Sequence, residues 1–142
     1  MTAESANVLV VYRPGERADL ELREVARRVA ERGGRLTVVA LALKETTGKG
    51  CCDTRSVLWN RFTSEFAHED LTRARLVLDD PDHVEFAVVT HSGRRVADAI
   101  VEAARLHGAD DIVLADPKSS ALNRREQRRL LAAGAHYSTA NI

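Results

Sequence analysis

Short apolar runs alternate with amphipathic stretches along most of this chain. Residues 7–12 are almost wholly apolar, and apolar residues then recur at helical spacing until the glycine pair Gly33 and Gly34. A second apolar run, residues 36–43, follows this pair. The pattern predicts a strand, a helix and a strand, with both strands covered on both faces as in a parallel sheet.

The stretch 84–116 repeats this order more clearly. Residues 84–89 form a short run rich in Val and Phe, and residues 112–115 form a second buried run. Between them lies one helical stripe, which consists of Val96, Ala97, Ile100, Val101 and Ala104. Gly108 supplies the helix stop. A strand, a crossover helix and a strand in one sheet make a parallel pair with a right-handed crossover.

The remaining segments give weaker patterns. Residues 44–54 are polar and predict a loop, and residues 55 to about 74 predict a helix. One face of that helix is marked by Leu58, Phe62, Phe66 and Leu71. The spacing of Trp59, Phe62 and Phe66 indicates core or dimer contacts. A last helix is predicted from about 122 to 133, and the tail 135–142 has weak strand character.

These elements predict an α/β fold, namely an open, mostly parallel five-stranded sheet with helices on both faces. The expected architecture is Rossmann-like, similar to that of adenine-nucleotide alpha-hydrolases, with residues 1–142 as one domain. Ligands of such sheets bind at the carboxyl ends of strands where strand order reverses. The candidate ligand-binding residues therefore follow the predicted strands: Tyr12, Arg13, Gly15, Leu43, His91, Ser92, Asp116, Lys118, Ser119, Ser120 and Arg124.

Charge and composition argue against some classes of function. The chain has 21 Lys and Arg against 21 Asp and Glu, so its formal net charge is zero. A nucleic-acid or membrane-surface binder usually carries a basic excess, and neither partner is expected. No apolar run reaches the roughly 20 residues of a membrane span, and the N-terminal segment lacks signal-peptide features. The expected location is the cytoplasm, which fits two adjacent cysteines that form no disulfide framework.

Four segments resemble the universal stress protein family. That family typically shows "aIleaA" followed by "gaDlIVmG", and here residues 99–104 read AIVEAA and residues 108–116 read GADDIVLAD. Residues 7–11 resemble the first strand of the family, and residues 129–142 resemble its final helix and strand. The resemblance implies a small cytoplasmic stress-response or regulatory binding protein that is not an enzyme. It also implies a homodimer, because family members pair through the last strand.

The ATP-binding motif of that family is broken here. ATP-binding members carry an Asp directly after the first strand and the motif G-x2-G-x9-G-[S/T] after the fourth, where backbone amides approach the phosphates. Tyr12 and Arg13 follow the first strand here, and Asp116 and Ser119 stand where the first two glycines would be. A carboxylate at position 116 would repel a triphosphate. We therefore expect no cofactor, and no binding of ATP or AMP in the family's usual way.

A second hypothesis is an atypical nucleotide- or phosphate-binding enzyme or switch. Lys118, Ser119, Ser120 and Arg124, with Arg13 opposite, would then bind the anion. The simpler interpretation is helix capping by a serine beside solvated cations. His91 and Asp116 could likewise form an acid–base pair, although a turn-forming role for His91 is the simpler interpretation.

A third hypothesis is a thiol or metal sensor. Cys51 and Cys52 lie in a polar loop, and His68 lies in the next predicted helix. A metal site needs three or four converging ligands, and adjacent cysteines rarely bind one ion together. Small, partly buried side chains that lead into the helix are the simpler interpretation, and we expect no metal.

Overall fold

The computed structural model describes residues 7–43, 54–91, 96–115, 124–134 and 136–137. Its strands are β1 (Asn7–Val11), β2 (Arg35–Leu43), β3 (Val84–His91), β4 (Asp111–Leu114) and β5 (His136–Tyr137). Its helices are α1 (Glu16–Glu31), α2 (Thr54–Val77), α3 (Val96–Leu106) and α4 (Arg124–Ala132). A single 3₁₀ turn, Pro81–His83, precedes β3.

The five strands form one sheet in the order β3-β2-β1-β4-β5, and every neighbouring pair is parallel. The predicted α/β fold with an open, parallel, five-stranded sheet is thus confirmed. β1 lies at the centre, where Val8 is opposite Leu36 of β2 on one side and Asp111 of β4 on the other. Strand order reverses between β1 and β4, which makes this pair the topological switch point.

Helices cover both faces of the sheet and create two cores. Because side chains alternate along a strand, Val8 and Val10 point to the face covered by α1 and α2, and Leu9 and Val11 point to the other face. The first core includes Leu22 and Val25 of α1 and Leu71 of α2. The second core is completed by Ile100, Ala103 and Ala104 of α3 and by Leu130 of α4. The continuous apolar strands of the sequence are explained by this double burial.

α1 and α3 each end two residues before a glycine. Gly33 (φ 70°) and Gly108 (φ 67°) both adopt the left-handed conformation, which only glycine takes without a Cβ penalty. α2 continues to Val77, beyond its predicted end near Ala74, and β3 extends to His91, beyond its predicted end at Val89.

The core alternative for Phe62 and Phe66 of α2 is wrong, and dimer contacts stay a prediction. Both residues are exposed, as is Leu58, whereas the buried residues among the described side chains of this helix begin at Ala67. On α3, Val101 also lies partly exposed beside the buried stripe. The side chain of Trp59 lies outside the described residues. No helix in the described part of the chain has both the length and the apolar character needed to cross a membrane.

Candidate functional site

The carboxyl ends of β1 and β4 leave the sheet side by side. The Ala115 N–H donates to the Val11 carbonyl at 3.3 Å, and the Tyr12 N–H donates to the Val39 carbonyl of β2 at 2.9 Å. The segments that follow β1 and β4 therefore start from adjacent points on one edge. In open α/β sheets this edge is the usual place for a ligand.

Tyr12 is the first residue after β1. Its side chain is 1% exposed, and its hydroxyl donates to Asp19 Oδ1 in the first turn of α1. Arg73 of α2 donates to the other carboxylate oxygen of Asp19, from Nη2 at 2.7 Å and from Nε at 3.2 Å. We call these three residues the tyrosine cluster. It links β1, α1 and α2 through one shared carboxylate.

The electrostatics of the tyrosine cluster favour a neutral phenol. Burial raises the pKa of Tyr12 well above its ordinary value, and the hydrogen bond to the Asp19 carboxylate raises it further. The bond to Asp19 also raises the pKa of Arg73. At neutral pH the cluster is therefore an ion pair with a protonated tyrosine donor. All of these groups already hold partners within the protein, so the cluster acts as a brace between elements.

Two charged residues lie beside the tyrosine cluster. Burial raises the pKa of Asp70 on α2, while the positive charges of Arg13 and Arg73 oppose this shift. Arg13 itself is exposed, directly after Tyr12. Gly15 precedes the first residue of α1, and its carbonyl accepts from the Asp19 N–H at 2.8 Å. Of the predicted residues after β1, Arg13 is thus the one that presents a charge to solvent.

A second polar cluster lies at the end of β3. His91 is half-buried, and among the described residues its Nδ1 is buried without a hydrogen-bond partner. Burial lowers the pKa of His91, and the negative charge of the Glu126 carboxylate on α4 raises it by a smaller amount. Glu126 is 4% exposed and accepts from the Ala97 N–H at 2.9 Å. Its carboxylate therefore caps the N-terminus of α3, where a negative charge is favoured by the helix dipole.

The predicted site residues divide between the two faces of the sheet. Tyr12 continues the alternation of Val10 and lies on the α1–α2 side, whereas His91 continues that of Val89 and lies on the α3–α4 side. The structure does not bring Tyr12 and His91 together.

Other predicted residues fall at less informative positions. Leu43 ends β2 and Arg124 begins α4, with side chains outside the described residues. Ser92, Asp116, Lys118, Ser119 and Ser120 also lie outside the described residues, as do Cys51 and Cys52. His68 is exposed on α2, and no group of three or more metal-binding side chains occurs in the described part of the chain.

Sequence reasoning missed Asp19, Arg73 and Glu126. Arg73 lies more than 50 residues from Asp19, and no local pattern links them. Glu126 did carry a signal, since it lies four residues before the buried Leu130 and so shares the buried face of α4. The predicted acidic neighbour of His91, Asp116, lies outside the described residues. Among the described residues, the carboxylate that acts on His91 is that of Glu126.

A cavity of about 900 Å³ lies at the opposite, amino edge of the sheet. It lies between the end of α1, the start of β2 and the segment that follows α2. Its rim carries Arg23 with Asp79 at 3.8 Å, and Arg27 with Glu24, so the rim charges compensate each other. A smaller groove of about 420 Å³ lies beside Asp19 and Arg73. We favour the carboxyl edge as the candidate site because polar side chains converge there at the switch point.

Comparisons with solved structures identify the architecture. A universal stress protein family member from Burkholderia pseudomallei superposes with a TM-score of 0.68 at 18% identity, over 94% of this chain and 95% of that one. The chain has the universal stress protein fold.

Two further structures with this fold contain nucleotides. The universal stress protein from Archaeoglobus fulgidus in complex with dAMP matches with a TM-score of 0.59 at 19% identity, over 93% of this chain and 96% of that one. A universal stress protein in complex with cAMP matches with a TM-score of 0.54 at 15% identity, over 94% and 97% of the two chains. No protein-family model matches the chain, and no curated protein matches it.

Proposed function

We propose that this protein is a divergent member of the universal stress protein family. It would act in the cytoplasm as a stress-response or regulatory binding protein, as one domain, without enzymatic activity and without binding ATP in the family's usual way. Fold similarity over nearly the whole chain supports the family assignment. The sequence resemblance at residues 99–104 and 108–116 supports it independently.

One observation carries the proposal about ATP. The position after β1, where ATP-binding members have an Asp, holds Tyr12, whose side chain is buried and whose hydroxyl is engaged by Asp19. A nucleotide would find no acidic acceptor for its base or ribose at this point. Position 116 adds a carboxylate where the phosphate loop of the family would begin.

The test is a search for bound and added nucleotide. Purified protein is denatured and its supernatant analysed for nucleotides; separately, ATP, AMP, dAMP and cAMP are titrated in a thermal-unfolding assay. We expect no released nucleotide and no increase in Tm. A ligand present at 100 times its Kd would stabilise the protein by about 2.7 kcal/mol. A clear Tm increase with ATP would refute the proposal, and a nucleotide-binding universal stress protein serves as the positive control.

A second candidate function is nucleotide binding by different residues. The dAMP and cAMP complexes of proteins with this fold favour it, as does the exposed Arg13 beside the switch point. Under this hypothesis AMP or cAMP raises the Tm, and Arg13→Gln reduces that increase. A matched substitution of an exposed arginine on another face, Arg105→Gln, leaves the increase unchanged.

A further inference from the structure

α2 carries two apolar faces on its two halves. The second half buries Ala67, Leu71 and Ala74 against the sheet, together with Leu78, which lies one residue beyond the helix end. The first half carries Leu58, Phe62 and Phe66, which are 50%, 50% and 60% exposed. We call these three residues the outer stripe. At 100° per residue, the outer stripe is centred about 150° around the helix from the buried face.

The outer stripe lies on a part of α2 that α1 does not accompany. The two helices run side by side in the same direction, because Asp19 pairs with Arg73 at 2.7 Å and Arg23 lies 3.8 Å from Asp79. At 1.5 Å per residue, α2 begins about 28 Å before Arg73, whereas α1 begins only about 5 Å before Asp19. The first half of α2 therefore projects well beyond the start of α1.

The described side chains on the opposite face of this projecting half are polar. They are Asn60, Thr63 and Ser64, which are half-buried, and the Thr63 hydroxyl donates to the Asn60 carbonyl at 3.1 Å. Among the described side chains the usual distribution of a surface helix is thus reversed, with polar groups inward and large apolar groups outward. An exposed stripe of this kind is typical of an interaction surface.

We propose that the outer stripe binds a second copy of this chain through antiparallel pairing of the two α2 helices about a two-fold axis. The stripe is self-complementary, since its side chains are evenly spaced by four residues. The two-fold axis crosses the stripe between Phe62 and Phe66. Phe62 of each copy then packs between the Phe62 and Phe66 side chains of the other copy. Such an isologous interface is closed, so assembly stops at the dimer.

The charges beside the outer stripe fit the same symmetry. Arg61 and Glu65 lie on one flank, with Arg61 Nε and Glu65 Oε1 3.3 Å apart. Equivalent flanks of antiparallel helices face each other, so the two-fold axis places Arg61 of each copy opposite Glu65 of the other. A formal net charge of zero adds no long-range repulsion between copies. This pairing differs from the association through the last strand that the family resemblance implies.

The interface is small. Three side chains and their neighbours cover less than the roughly 800 Å² per partner of a standard stable complex. We therefore expect a concentration-dependent dimer with a Kd of roughly 10 to 100 μM. Sedimentation velocity of the full chain from about 1 to 200 μM measures this equilibrium.

Phe62→Glu is the decisive variant, because it places like charges near the two-fold axis. We expect its Kd to rise at least about tenfold, with an unchanged Tm at low concentration, since the half-exposed Phe62 lies outside the core. Leu106→Glu is the control: Leu106 is 75% exposed on α3, and its replacement leaves the dimer intact. Arg61→Glu weakens the dimer, and the double exchange of Arg61→Glu with Glu65→Arg restores it.

Several results would overturn the proposal. A wild-type chain that stays monomeric at 200 μM, about the highest concentration tested, excludes the dimer. A dimer that survives Phe62→Glu forms through another surface. Equal losses in Phe62→Glu and Leu106→Glu mean that association is non-specific. A marked drop in the Tm of Phe62→Glu means that the outer stripe packs within its own chain.

Discussion

Glu126 allows a quantitative test of the packing between α3 and α4. Its carboxylate is 4% exposed and accepts from the buried Ala97 N–H at 2.9 Å. Glu126→Ala leaves that N–H without its acceptor, at a cost of about 1–3 kcal/mol. It also removes one buried methylene group, worth about 0.8 kcal/mol. The expected total loss of unfolding free energy is about 2–4 kcal/mol.

Glu126→Gln separates the hydrogen bond from the charge. The amide oxygen still accepts from Ala97, and the volume is conserved, so the variant loses mainly the attraction between the carboxylate and the α3 dipole. This term is about 1 kcal/mol. For a chain of this size, 1 kcal/mol corresponds to about 3–5 °C in Tm. We therefore expect a Tm decrease of about 6–20 °C for Glu126→Ala and about 3–5 °C for Glu126→Gln.

The assay is reversible urea and thermal unfolding followed by circular dichroism, with the m-value as a check for two-state behaviour. Glu102→Ala is the control, because Glu102 is an exposed glutamate that pairs with Arg105 three residues later, as Glu126 pairs with Arg129 at 3.8 Å. Its Tm should change by no more than about 2 °C. A loss below about 1 kcal/mol for Glu126→Ala would refute the argument, since the buried N–H would then have another acceptor.

Three further predictions concern the carboxyl edge of the sheet. Tyr12→Phe should destabilise the fold by about 1–2 kcal/mol, because a hydrogen bond to charged Asp19 is lost while Arg73 still holds that carboxylate. Asp70→Asn should stabilise the protein at neutral pH, because burial raises the pKa of Asp70 and penalises its ionised form; the gain should vanish below about pH 4, where the carboxyl is protonated in both states. Wild-type stability should fall between about pH 7 and pH 5, because the lowered pKa of His91 lets the unfolded chain bind the proton first; His91→Gln should reduce this dependence.

Urea unfolding at a series of pH values measures all three effects. An unchanged Tyr12→Phe variant would mean that water replaces the phenol at Asp19 without loss. A destabilised Asp70→Asn variant at neutral pH would mean that attraction from Arg13 and Arg73 outweighs burial. A pH profile identical in His91→Gln and wild type would assign the acid sensitivity to other groups.

The sequence predicted the sheet because its signal is local. Residues 7–11 and 112–115 are continuous apolar runs that suit strands covered on both faces, and Gly33 and Gly108 mark helix ends through a requirement of the backbone itself. These features depend on neighbours within a few residues. The fold class follows from them together with the handedness of the crossovers, whereas the strand order β3-β2-β1-β4-β5 comes from the structure.

Only the location of the site could be predicted, and not the contacts within it. The edge of the sheet follows from topology, but the partners of Tyr12 and His91 come from α1, α2 and α4, and long-range packing decides which side chains meet. Periodicity also left core and dimer contacts as alternatives for Phe62 and Phe66, because it finds an apolar stripe without showing whether the sheet covers it. α2 carries one stripe on each half, and only the stripe that includes Leu71 is in the core.

The central position of β1 has a consequence for the order of folding. Val8 pairs with Leu36 about 30 residues later, and Leu36 pairs with Val84 about 50 residues later, but Val8 also pairs with Asp111 about 100 residues later. Closing the longest loop carries the largest entropy cost and slows the step that requires it. During synthesis, β1 to β3 can pair while β4 is still within the ribosome. Pairing of β1 with β4 therefore waits until β4 has emerged, and a nascent chain has no switch point before that stage.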